Sequence, residues 1–116
     1  GTGVLEAGAR ATPPPDPFAD DDSWLDRRLH VLGAADPKRL AAIFRGAGTA
    51  DLPLPEALAT IAAPTLVLAW SGDPGHPIST AERLGALLPN SAVVISSTRE
   101  DLDTWTSRCA AFLDER

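Results

Sequence analysis

The groups best able to do chemistry fall within one short stretch, Trp70-Ser71-Gly72-Asp73-Pro74-Gly75-His76-Pro77. A carboxylate and an imidazole three residues apart are the raw material of acid–base work, provided the base reaches its proton in space. His76 shares a Pro-flanked loop with Asp73, which limits that reach, so it reads first as an ordinary loop residue and second as a base. Asp73 reads either as a reactive carboxylate or as the residue that ends a strand and caps the turn before Pro74. Ser71 has no partner base, and a serine hydroxyl without one is inert. Trp70 reads as a pocket wall or as core packing, core being the commoner use of a tryptophan. His30, the other histidine, falls on a helical stretch as a half-exposed surface residue.

What must position these groups is the run before them. Thr65-Leu66-Val67-Leu68-Ala69-Trp70 is unbroken, with Pro64 in front and a Gly/Pro/Asp cluster behind. A short continuous run between turn residues suits a strand buried on both faces, as in a parallel sheet. Its carboxyl end is where an open α/β sheet presents its reactive groups.

With 116 residues the chain is at most one domain, and its 44 % hydrophobic content is that of a folded protein. The net charge of −6 repels phosphate backbones and argues against nucleic-acid binding. No run is long enough to span a membrane and no basic-then-apolar leader is present, so a cytoplasmic protein is expected. The single Cys109 excludes an internal disulfide, and no Cys/His spacing points to zinc; it reads as a small apolar residue on a helix face. Asp20-Asp21-Asp22 lacks the alternating oxygen ligands and turn glycine of a calcium loop and reads as a solvated helix start. Neither a metal nor a cofactor is expected. The chain opens on Gly1 and contains no Met, so a processed or trimmed piece of a longer protein is expected.

Three segments follow along the chain. Residues 1–21 hold Pro13-Pro14-Pro15-Asp16-Pro17 and read as irregular, polyproline-like backbone. Residues 22–60 read as a small helical, cap-like segment. Asp22 or Ser23 starts a helix through Trp24, Leu25, Leu29 and Leu32 that stops at Gly33. Asp36-Pro37 starts the next, with Leu40, Ile43 and Phe44 on one stripe and Gly46-Ala47-Gly48 as its stop. Residues 61–116 read as strand, helix, strand, helix. Ser79 and Glu82 fit a capping box, Leu84, Leu87 and Leu88 carry the helix, and Ala92–Ile95 is the second strand. Thr98 with Asp101 caps a last helix faced by Leu102, Trp105, Cys109, Phe112 and Leu113. The fold class is therefore α/β, a parallel βαβα unit with a right-handed crossover.

Two parallel strands cannot stand alone, because their open edges leave N–H and C=O groups unpaired. The sheet is expected to be completed by residues upstream of this sequence or by a second copy of the chain, through strand edges.

In this light residues 56–113 resemble the C-terminal part of the α/β-hydrolase superfamily. The features that match are Ile61-Ala62-Ala63-Pro64 before the strand, Ser71-Gly72-Asp73 with Pro77 after it, Leu87-Leu88-Pro89 closing the helix, and Phe112-Leu113 closing the chain. The helices of residues 23–47 would correspond to the family's cap. The resemblance implies a triad in the order Ser, acid, His, with Asp73 at the acid position, accepting a hydrogen bond from the histidine. It implies hydrolysis of a small ester or related carbonyl compound. Two features depart from the pattern: no serine sits in G-x-S-x-G, and Ser96-Ser97-Thr98-Arg99 stands where the family carries its histidine. The chain is thus expected to be catalytically incomplete as given. The alternative is a hydrolase-like scaffold that binds a ligand or partner without turnover.

Overall fold

Thr65–Trp70 is a strand, and it pairs in parallel with Ser91–Ser96 in the computed structural model, which describes residues 2–115. The order is α1 (Gly3–Ala11), a 3-10 turn at Asp16–Phe18, α2 (Trp24–Ala34), α3 (Pro37–Thr49) and α4 (Pro55–Leu58). Then come β1 (Thr65–Trp70), α5 (Ile78–Leu87), β2 (Ser91–Ser96), α6 (Arg99–Asp103) and α7 (Trp105–Asp114). The chain is mixed α/β. It divides into two compact units: one takes the chain up to Pro13 together with Asp21–Leu52, the other takes Pro14–Asp20 together with Pro53 onward.

In the second unit the register runs from Thr65 opposite Ser91 to Trp70 opposite Ser96. Both ends of the ladder are tied. Thr65 N–H donates to the Asn90 carbonyl at 2.9 Å, while the Asn90 amide reaches back to the Ala62 carbonyl at 2.7 Å. At the far end Ser71 N–H donates to the Ser96 carbonyl at 3.0 Å. The crossover helix α5 packs on both strands, and Gly85 is its point of closest approach, since an added Cβ would overlap the Val93 side chain. Ser91 Oγ donates to the carbonyls of Gly85 and Leu88, at 3.1 and 3.0 Å, stitching the helix end to the strand start.

Among the described residues the sheet has two strands. This corrects the expectation of a strand buried on both faces: every residue of β1 is half-buried, and Val93 and Ile95 of β2 are each 37 % exposed. The physical reason is that, among the described residues, each strand has a paired neighbour on one edge only, so neither lies in the interior of a wider layer.

Ser96 is the fully buried polar residue of the sheet. Its hydroxyl accepts a hydrogen bond from the Trp105 indole N–H at 2.8 Å, which anchors α7 to β2. Ser96→Ala is expected to cost about 1–3 kcal/mol, because it strands a desolvated donor. Trp105→Phe in the same background should recover part of that loss, a coupling that a double-mutant cycle in urea would read directly.

Several local expectations are corrected. Residues 3–11 form a helix rather than irregular backbone: no proline occurs before Pro13, Thr2 Oγ1 donates to Glu6 at 2.6 Å, and Arg10 lies in the last turn. Gly33, Gly46 and Gly48 do not stop their helices, which run on to Ala34 and Thr49; none has the positive φ of a left-handed cap. The Ser79–Glu82 capping box does not form, because the N-cap of α5 is Pro77, two residues before Ser79, and the helix begins at Ile78. The last helix is broken at Thr104 into α6 and α7, and its stripe is only partly covered, with Cys109 and Leu113 exposed. Asp36 does cap α3 through Lys38 N–H at 2.9 Å, and Thr98 and Asp101 form a complete capping box on α6.

In the first unit α1 packs against α2, whose Trp24, Leu25, Leu29 and Leu32 are half-buried. Asp21 forms a 2.6 Å ion pair with Arg27, which also bonds the Ser23 hydroxyl, and this holds the Asp21 carboxyl well below the usual carboxylate range.

Candidate functional site

At the carboxyl exit of β1, Gly72 takes φ 76 and turns the chain so that Asp73 faces back toward the strand end. The carboxylate is then shared by its own loop. Oδ2 accepts from the Trp70 indole N–H at 3.0 Å and pairs with His76 Nδ1 at 2.9 Å, while Oδ1 accepts from Gly75 N–H at 2.8 Å. The pair is asymmetric: the Asp73 side chain is 15 % exposed and that of His76 is 89 % exposed.

Burial opposes ionisation of Asp73, but the hydrogen bonds from His76, Gly75 and Trp70 together outweigh it and hold the carboxyl below its ordinary value of 3.8. Asp73 is therefore a carboxylate at neutral pH, and a carboxylate only accepts. His76 Nδ1 must then carry the proton that bridges the pair, and the rest of the ring is largely open to solvent.

Beside the pair lies a pocket of about 260 Å³ lined by Leu68, Ala69, Trp70, Asp73, His76 and Trp105. Trp105 stacks on Trp70 with ring centroids 5.5 Å apart and planes 14° apart. One wall is thus two indoles deep, and the polar groups are those of a single loop. A small apolar ligand laid along the indoles would lie beside the Asp73–His76 pair.

The structure brings Trp70, Asp73 and His76 together. It does not bring Ser71 to them: that residue is buried, and its Oγ donates to Ser97 Oγ at 3.1 Å, across the strand ends. His30 is exposed on α2 in the other unit. Trp105 was legible only as a core position of the last helix, although the opposition of two tryptophans at the same end of adjacent elements is a signal that pairing of the strands makes readable. Arg99 and Phe18 also approach this strand end, and neither has a sequence pattern that announces it.

No family model, curated protein or solved structure matches this chain. The site therefore stands on its own geometry. Among the described residues no group of three or more His, Cys, Asp or Glu is placed to hold a metal ion, and no helix is long and apolar enough to cross a membrane.

Proposed function

We propose that this chain is the acid-bearing C-terminal part of a cytoplasmic α/β-hydrolase-like protein acting on a small ester or related carbonyl substrate. The observation that carries the reading is Asp73 at the carboxyl exit of a parallel strand, accepting a hydrogen bond from a histidine Nδ1 at 2.9 Å. In such an arrangement the carboxylate fixes the imidazole tautomer and stabilises the imidazolium that forms as the base takes a proton. The stacked indoles supply an apolar wall for an acyl or alkoxy group.

The reading leaves the chain incomplete by itself. The nucleophile comes from outside the residues around Asp73, and further strands complete the sheet, supplied by upstream residues or by a second copy pairing at the strand edges. The α2–α3 helices then serve as cap.

A second reading, a ligand- or partner-binding scaffold without turnover, is favoured by one observation. Ser97-Thr98-Arg99 follow β2 with no histidine among them, and the Ser97 hydroxyl is engaged by that of Ser71, so this strand end offers no base. The two readings part on one assay. The protein at its natural length, offered p-nitrophenyl acetate, should turn it over, and the Asp73→Asn variant should not. Absence of turnover by the unaltered protein across short-chain esters would favour the scaffold.

A further inference from the structure

The Pro-rich stretch is the part of the chain whose sequence and placement disagree most. Pro14–Asp20 groups with the unit built from Pro53 onward, although the residues on both sides of it belong to the other unit. Prolines and aspartates ordinarily stay in water, yet Pro15, Pro17 and Phe18 are buried, Phe18 to 8 % exposure.

The segment lies against the end of β1 in a cleft formed by Trp70, Ser71, Gly72 and Arg99. Between Pro15 and Pro17, neither of which has an N–H, Asp16 keeps the segment's free donor and gives it to the Ser71 carbonyl at 3.0 Å. Phe18 N–H closes the 3-10 turn onto the Pro15 carbonyl at 2.8 Å. The Phe18 ring stands edge-on to Trp70, with centroids 5.9 Å apart and planes at 88°, and the Arg99 guanidinium sits 5.2 Å from its centroid. Gly72 makes the fit possible, because a Cβ there would lie 2.6 Å from Asp16 Oδ1.

We propose that this cleft is a docking site for a short peptide of the pattern Pro-Asp-Pro-aromatic folded into a single 3-10 turn, with residues 15–18 as its resident occupant. Pro15 and Pro17 fix their own φ, so the turn loses little entropy on docking, and Trp70 supplies an aromatic surface for the ring. Here the groove adds a carbonyl acceptor for the Asp16 N–H and a cation for the ring. No strand pairing holds the segment, so its occupancy depends on these few contacts and on the tether, which supplies an effective concentration of about a millimolar. The inference uses none of the acid–base chemistry of Asp73 and His76 and stands or falls separately from it.

A synthetic peptide with the sequence of residues 14–20 tests the proposal, added to the full chain carrying Phe18→Ala and followed through tryptophan fluorescence. The expected result is saturable binding. The same peptide with alanine in place of its phenylalanine should bind at least tenfold more weakly, and Arg99→Gln in the recipient chain should weaken binding severalfold. The unaltered chain should bind the peptide at least tenfold more weakly, since its own segment fills the cleft. Should Phe18→Ala leave the chain unfolded by circular dichroism, recovery of the folded spectrum on adding the peptide supports the proposal, and failure to recover it overturns it. Equal binding of the two peptides, or no saturable binding to a folded Phe18→Ala chain, also overturns it.

Discussion

Asp73→Asn is expected to cut ester turnover by about 10⁴-fold with little change in KM. The substitution keeps the shape of the side chain and reverses part of its hydrogen bonding. The carboxylate receives three donors, from Trp70, Gly75 and His76. An amide has one acceptor oxygen and brings two donors of its own, so at least one neighbour meets an N–H. If that neighbour is His76, the imidazole answers by moving its proton to Nε2, and the nitrogen that should take a proton then already carries one. The same change has a signature in stability. Because Asp73 titrates below 3.8 in the folded chain, its contribution is fully present above that value and is lost as pH falls through the lower, folded value. The gap in melting temperature between the unaltered and Asn chains should therefore hold from neutral pH to about pH 5 and close below it. A scaffold would show this closing gap without any turnover to lose, so the pair of measurements separates the readings. An Asn variant that hydrolyses the ester at the unaltered rate would remove Asp73 from the chemistry altogether.

The second half of the chain was legible because its punctuation is covalent chemistry acting locally. Pro64 removes a donor before β1, Gly72 takes a φ that other residues avoid, and Thr98 and Asp101 satisfy each other across one turn. These features act over a few residues, and the strand, the loop and the last cap follow from them without knowledge of the rest. The placement of Asp73 at a strand exit belongs to the same class. Its pairing with His76 does not, because whether a histidine three residues on can fold back depends on how Pro74 and Gly75 bend the loop.

What stayed hidden depends on contacts far apart in sequence. Nothing near Pro15 indicates that Ser71 has a carbonyl to spare, and nothing near Phe18 announces Trp70 and Arg99. A proline run reads as solvent-borne because its own backbone cannot form regular structure; its burial here is decided by a cleft assembled from residues more than fifty positions later. The glycines misled for the opposite reason. Gly33, Gly46 and Gly48 have the composition of helix stops, but each costs a helix only about 1 kcal/mol, and their neighbours carry the helix through.

Gly72 is the position where those two scales meet, and Gly72→Ala is expected to destabilise the chain by about 2–5 kcal/mol. A φ of 76 costs a residue with a Cβ about 1–2 kcal/mol. The new methyl would also lie 2.6 Å from Asp16 Oδ1 and 2.9 Å from Asp16 N. The carboxylate can rotate away; the backbone nitrogen cannot, and moving it breaks the hydrogen bond to Ser71 that holds the segment. Overpacking of this kind adds about 1–3 kcal/mol. Gly33→Ala is the control, since a Cβ there meets nothing within 4 Å, and it should stabilise by up to about 1 kcal/mol through helix propensity alone. Combining Gly72→Ala with Asp16→Gly removes the carboxylate overlap and leaves both the φ penalty and the backbone contact, so the double variant should recover only part of the loss. Denaturant midpoints read all four chains. A Gly72→Ala loss no larger than about 1–2 kcal/mol, the φ penalty alone, would mean that residues 15–18 do not lie against the end of β1 in solution, and the docking cleft would go with them.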